Sequence, residues 1–227
     1  TEDRSMRVYH RLAELVRNGR IGKLKTIRVK LPAGNRWATE QPAKVPDDLD
    51  YDLWLGPAPE APYTPHRTDP MRWRQIWDYS GGLLTDWGAH QLDTAQWAND
   101  TENTGPVSVE GKGTFNEGSM YNTAINYKLK CTYANGVELH VESGGTSLRF
   151  EGTDGWVGNS RWARPPEASS KEILESKIGP EETHLFTCRE GEHRNFLDCV
   201  KSRKDPYLPA ETGHRLATLM HMGNISM

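Results

Sequence analysis

Apolar residues recur at helical spacing over residues 7–18 (Val8, Leu12, Leu15, Val16), which predicts a short amphipathic helix. Asn18-Gly19 ends it, with Gly19 suited to the left-handed position after a helix. Residues 23–31 alternate, Leu24, Thr26 and Arg28 against Lys25, Ile27, Val29 and Leu31, and predict a strand of open register. Residues 32–80 show no period. More than half of the chain's prolines lie there, with a high density of Trp, Tyr and Arg, so the segment reads as a long irregular loop. A helix is predicted over 81–98. Strands follow at 106–116, 122–133, 137–143 and 147–151.

The turn Ala134-Asn135-Gly136 fixes a register. A two-residue loop would put Ile125, Tyr127, Leu129 and Cys131 on the face opposite Val137, Leu139 and Val141. A three-residue loop pairs Tyr133 with Val137, Cys131 with Leu139 and Lys128 with Glu142, and needs Gly136 left-handed. The result is an antiparallel meander with one apolar and one polar face. Its apolar face would pack on helices or meet a partner. Residues 155–190 carry little pattern, and 164–177 reads as an exposed connection or weak helix. Residues 192–203 and 210–225 predict two helices, separated by Pro206 and Pro209. The fold class is α+β: a large, mostly antiparallel open sheet with helices on one face.

Composition narrows the function. At 227 residues the chain can bury a sizeable core. A net charge of -3 argues against a nucleic-acid or anionic-membrane surface. No apolar run is long enough to span a bilayer and no signal-peptide pattern opens the chain. Cys131, Cys188 and Cys199 are far apart and fit free thiols rather than a metal site or disulfides. The chain opens on Thr1 and stops inside an apolar-periodic segment, so both ends read as cut from something longer. The expected compartment is the cytoplasm, with the periplasm left open because the native N-terminus is not seen.

The candidate chemistry lies in the helix of 81–98. Leu84, Gly88, Leu92 and Ala95 make its apolar stripe, while Asp86, His90, Asp93 and Trp97 make a second one. An Asp one turn before a His can hydrogen-bond or orient its ring, and flanking carboxylates favour the protonated form. Such a His exchanges protons near neutral pH. Three plainer readings stand beside this one: a solvated polar face, a metal site, or a buried structural histidine. Gly88 on the apolar stripe predicts close packing against another element, since glycine costs roughly 1 kcal/mol inside a helix. The aromatic loop reads either as a wrap held by its own packing or as a wall over a polar ligand, with Arg36, Trp73 and Arg74 as candidate substrate contacts.

Gly81-Gly82-Leu83-Leu84-Thr85-Asp86-Trp87-Gly88-Ala89-His90-Gln91-Leu92-Asp93 resembles the GG-x-L-x-D-x-G-x-H-x-x-D signature of the glucose–fructose oxidoreductase, inositol dehydrogenase and MocA (Gfo/Idh/MocA) family. Leu15 to Leu24 is similar to that family's E-L-V-x-x-G-x-I-G-K junction, and Asp50 to Pro59 to its W-D-L-W-L-G-P-A-P segment. The resemblance runs from about residue 4 to about 225. It implies a C-terminal, substrate-binding and oligomerisation domain covering 1–227. Residues 1–22 would join it to a dinucleotide-binding domain that is not in this chain. Neither a glycine fingerprint nor the family's Glu-Lys-Pro tripeptide occurs; Gly111-Lys112-Gly113 lies in a strand with no helix after it. NAD or NADP would therefore be bound mainly elsewhere, with no cofactor-binding residue here and no metal. By position, His90 is the expected acid/base, Asp86 its orienting or substrate-contacting partner, and Asp93 a weaker substrate contact. The implied function is oxidation of a sugar, cyclitol or related polyol, with this domain inactive alone and forming a homo-oligomer through its sheet. A redox-assisted glycoside hydrolase or epimerase of the same family, and a non-catalytic assembly module, remain alternatives.

Overall fold

A computed structural model describes residues 2–227; Thr1 lies outside the described residues. Chain order is a 3-10 turn Glu2–Ser5, α1 (Arg7–Arg17), β1 (Leu24–Leu31), α2 (Tyr51–Leu55), a 3-10 turn Trp73–Gln75, and α3 (Gly82–Ala98). Then come β2 (Ser108–Thr114), β3 (Asn126–Thr132), β4 (Glu138–Ser143), β5 (Leu148–Gly152), β6 (Trp156–Asn159), β7 (Glu167–Ala168), α4 (Lys171–Glu175), α5 (Glu192–Ser202) and α6 (Ala210–Ile225).

Helix α1 buries Tyr9, Leu12, Ala13, Leu15 and Val16. It ends in a Schellman motif: Gly19, at φ +69°, donates to Val16, and Arg20 donates to Leu15. The β3–β4 hairpin has the expected three-residue loop. Tyr133 donates to the Val137 carbonyl at 2.9 Å, Gly136 sits at φ +82°, and Cys131 pairs with Leu139 and Lys128 with Glu142.

The sheet order is β2-β3-β4-β1-β5-β6-β7. This breaks the uninterrupted meander expected of the four later strands. β1 lies between β4 and β5, parallel to the first and antiparallel to the second. The link after β4 steps over its end, where Gly144 and Gly145 both donate to the Leu31 carbonyl and Lys30 donates to Ser147. A central strand buries one full face, which settles the open register: Ile27, Val29 and Leu31 are buried, Arg28 and Lys30 exposed. Sheet order is set by pairing across long sequence separations, which local periodicity does not encode. The 155–190 stretch holds β6, β7 and α4, all too short to leave a period.

Helices α1, α3 and α6 cover the apolar sheet face, in one core with Tyr127, Leu129, Leu139, Val141 and Phe150. Gly88 lets α3 approach α6: a Cβ there would stand 2.7 Å from the Met220 sulfur. Gly223 does the same for α6 over β3, where Leu129 Cδ1 would be 2.7 Å away. The opposite sheet face is charged, with Lys130–Glu138 at 2.7 Å, Arg28–Glu151 at 3.1 Å and Lys128–Glu142 at 3.5 Å. The three cysteines are free, and among the described residues no helix is long and apolar enough to cross a membrane.

Candidate functional site

Gly81 and Gly82 start α3 where side chains would not fit. Gly82 has φ +75°, and a Cβ on it would meet Thr123 at 2.7–2.8 Å. A Cβ on Gly81 would meet Thr85 and Asn224, whose amide donates to the Gly81 carbonyl at 3.0 Å. The paired glycines thus seat α3 between the sheet and α6, and this seating points Asp86 and His90 outward. From Gln91 to Ala98 every residue of the helix is buried. The polar stripe read from the spacing therefore runs from the surface into the interior.

Its three members part company along the way. Asp86 (21 % exposed) takes a two-point contact from Arg74 Nη1, at 2.9 and 2.8 Å, and Arg74 also lies near the Trp73 ring. Asp93 (1 % exposed) faces Arg4, which donates to its two oxygens at 2.8 and 2.7 Å. Arg4 also contacts Glu102 at 2.6 Å and sits 5.0 Å above the Trp97 ring. A buried carboxylate needs such a partner. Asp93 and Arg4 hold the first turn of the chain against α3.

That clamp decides the surroundings of His90. The ring is half-buried, and its Nδ1 lies 3.5 Å from both Glu2 and Asp3. Asp3 is fully buried and accepts the indole N–H of Trp162 at 3.2 Å. Trp87 and Trp162 pack against the imidazole at 5.9 and 6.1 Å between ring centroids, and against each other at 6.0 Å. The His90 pKa is raised above its ordinary value. Hydrogen bonding to Asp3 contributes most; burial opposes it, and the charges of Asp3, Glu2 and, last, Asp86 add to it. The carboxylates at Nδ1 are thus Asp3 and Glu2; among the described residues no hydrogen bond or ion pair joins Asp86 to His90. Glu2, Asp3 and His90 are also the one set of donor atoms, among the described residues, close enough together to hold a metal ion.

The loop of 32–80 is held largely by its own side chains. Tyr51 stacks on Trp54, Trp54 meets Tyr79 edge-on, Arg72 lies over Trp37, and Arg67 donates to the Tyr79 hydroxyl at 2.7 Å. Glu40 gathers Tyr121, Arg72 and the His66 amide; burial raises its pKa, but the Tyr121 and His66 contacts outweigh this and lower it. A cleft of about 420 Å³ is lined by Trp54, Pro57, Trp73, Asp78 and Tyr79, but not by His90. The structure thus brings Trp73 and Arg74 to Asp86. Arg36 is exposed, and no hydrogen bond or ion pair joins it to them.

No nucleotide cradle forms among these residues. Gly111 and Gly113 lie within β2, where a Cβ would strike Ser226, Leu129 or Met227. Packing accounts for both glycines.

The residues missed from sequence are Glu2, Asp3, Arg4 and Trp162. None carries a local signal. Asp3 and Trp162 are 159 residues apart, and Arg4 and Asp93 are 89 apart.

Comparisons with known proteins agree with this architecture. A search of curated protein sequences finds no match. Among solved structures, the aldose-aldose oxidoreductase from Caulobacter crescentus, complexed with glycerol, superposes with a TM-score of 0.63 at 14% identity, covering 100% of this chain and 60% of that one. An NAD-binding protein from Listeria innocua gives 0.61 at 16% identity, covering 99% and 63%. The WlbA dehydrogenase from Bordetella pertussis, in complex with NADH and UDP-GlcNAcA, gives 0.61 at 13% identity, covering 95% and 56%. The chain thus spans about three fifths of the length of these structures. The family model for the C-terminal alpha/beta domain of the Gfo/Idh/MocA oxidoreductases matches residues 8–227, and the chain belongs to that family.

Proposed function

We propose that this domain supplies the substrate side of an NAD- or NADP-dependent oxidoreductase acting on a sugar, cyclitol or related polyol. The observation that carries the reading is His90 itself. It is a half-buried imidazole with one nitrogen turned to a buried carboxylate, and a fixed Asp86–Arg74 pair lies one helical turn away. An alcohol becomes a ketone only if its hydroxyl proton has somewhere to go, and a neutral imidazole takes it, the more readily because the neighbouring carboxylates raise its pKa. Asp86, fixed by Arg74, offers acceptor capacity to a second hydroxyl of the same substrate, as polyol recognition needs. Trp73 and the neighbouring aromatic cleft offer apolar faces for the ring carbons. Asp93 serves this site indirectly, by holding the first turn in place.

NAD or NADP takes the hydride in such enzymes. No residue of this chain is assigned to holding it, so the domain by itself is expected to be inactive. Structural relatives bear the names of enzymes or complexes with glycerol, NADH and a UDP-sugar, and this supports the substrate class proposed here. The test is a panel of aldoses, cyclitols and acyclic polyols, assayed with NAD and NADP on the full-length protein. Turnover with one of these classes, lost in His90→Gln, is the expected result. Absence of nicotinamide reduction or oxidation with the whole panel would refute the reading.

A further inference from the structure

Resting on the reading of His90 as the acid/base, we infer that Asp3 is its positioning residue: it accepts the Nδ1–H, fixes the tautomer that leaves Nε2 to the substrate hydroxyl, and is held in turn by Trp162.

Burial comes first. Asp3 has no exposed surface, and a carboxylate is not kept in the interior without compensation. One oxygen accepts the Trp162 indole N–H at 3.2 Å. The other oxygen, and His90 Nδ1, are both buried and lack a fully formed hydrogen bond. Nδ1 lies 3.5 Å from Oδ1, the oxygen that also accepts the indole, so a small turn of either group completes that contact, and a turn of the carboxylate would offer Oδ2 instead. Catalytic hydrogen bonds are often long until the substrate complex forms.

The surroundings then restrict which way the ring can turn. Trp87 and Trp162 both pack on it and meet each other edge-on at 6.0 Å, the three rings forming a triangle. Trp162 is itself fastened: its backbone N–H donates to the Thr146 hydroxyl at 3.2 Å. The next residue, Ala163, sits at φ +59°, where a side chain is disfavoured, and donates its N–H to the Tyr9 hydroxyl at 3.1 Å. A strained alanine held by a buried tyrosine is more than a surface turn needs, and it sets the indole against Asp3. From the other side, the Arg4–Asp93 pair fixes the residue next to Asp3.

Three acidic groups face His90: Asp3 and Glu2 from the first turn, and Asp86 on its own helix. Asp86 is committed to Arg74. Glu2 matches Asp3 in distance but is 49 % exposed and free to move, so it is the natural control. During oxidation the substrate C–H bond breaks and its hydride leaves to the nicotinamide of the proposed function, the O–H bond breaks and its proton passes to Nε2, and the C=O bond forms; the ring becomes imidazolium, and Asp3 takes no proton and stabilises that charge.

The experiment follows deuterium exchange at the His90 Cε1–H between pH 5 and 9, by peptide mass spectrometry on the full-length protein, alongside steady-state kinetics. Asp3→Asn is expected to lower the His90 midpoint by about one pH unit. It should reduce kcat at least tenfold with KM unchanged. Asp3→Glu restores the midpoint and part of kcat, and Glu2→Gln lowers the midpoint by less than Asp3→Asn does and leaves kcat unchanged. An unchanged midpoint in Asp3→Asn, or a fall in Glu2→Gln as large as or larger than that in Asp3→Asn, overturns the assignment. If Asp3→Asn does not fold, Asp3→Glu and Glu2→Gln decide by the same criteria. Chelation should leave the wild-type midpoint unmoved; a shift would reveal a metal on the Glu2–Asp3–His90 set and overturn the proton-bridge role. A normal turnover rate in His90→Gln removes the acid/base reading on which the pair rests. A lost midpoint effect with His90 still essential removes the pair alone.

Discussion

Arg4 and Asp93 meet through two parallel hydrogen bonds, 2.8 and 2.7 Å long, in the interior of the molecule. Guanidinium and carboxylate match in this geometry, and neither is reached by water. The pair joins the first turn of the chain to the middle of α3, so that Asp3 faces His90. An alignment read as a stripe of three chemical residues is therefore two residues at a site and one beneath it.

Removing one partner strands a buried charge. Asp93→Asn should destabilise the domain by about 3 kcal/mol and Arg4→Met by a similar amount, within the range for broken buried pairs. Urea unfolding measures this. A loss below about 1 kcal/mol in both would mean that the pair contributes little beyond a surface bridge.

Glycines at positive φ separate into two kinds. Gly19→Ala, in open space, should cost about 1 kcal/mol, the left-handed penalty for a side chain. Gly82→Ala meets Thr123 as well as the same backbone penalty, and should cost more, about 2–3 kcal/mol. Paired melts of the two variants check the order; equal costs would contradict the seating of α3 on the sheet.

Much of this architecture was legible in the sequence because its signals are local. The α1 stop at Asn18-Gly19, the hairpin at Asn135-Gly136 and helices α3, α5 and α6 each follow from residues within a few positions of one another. The insertion of β1 between β4 and β5 was not legible, since its pairing crosses more than a hundred residues. The site divides the same way. Asp86 and His90 are one turn apart, and their spacing alone aligns them. Asp86, the near carboxylate in sequence, was read as orienting the ring or contacting the substrate, whereas tertiary packing brings Asp3 and Glu2 to Nδ1 and pairs Asp86 with Arg74. Spacing put Asp93 on the same stripe but carried no information on which part of the helix is covered.

The raised His90 pKa has a consequence for stability. A folded-state pKa above the unfolded value means that the folded protein binds the proton more tightly. The resulting stabilisation is fully present below the unfolded value of 6.5 and is lost as pH rises through the higher folded value. The wild type should exceed His90→Gln in stability by more at pH 5.5 than at pH 9, measured by urea unfolding at both. A gap that widens toward pH 9 would give the shift the wrong sign.

Arg74 holds Asp86 without being the acceptor. Asp86→Asn should lower kcat/KM by about 10²-fold, the scale of one lost charge-assisted contact in the transition state, or roughly 2.7 kcal/mol. Arg74→Gln should cost less, because Asp86 remains although it is no longer fixed. Steady-state kinetics with the substrate found by the panel measures both; a larger loss for Arg74→Gln would make the guanidinium the direct contact.

The central claim is that His90 takes the proton from the alcohol being oxidised. The most direct measurement is kcat as a function of pH for the full-length wild type and His90→Gln, with substrate and nicotinamide cofactor saturating. The account predicts a fall of about 10²–10⁴-fold in kcat for the variant, with loss of the limb that rises as His90 deprotonates and with cofactor affinity unchanged. A variant that keeps both its rate and its acid limb would contradict it.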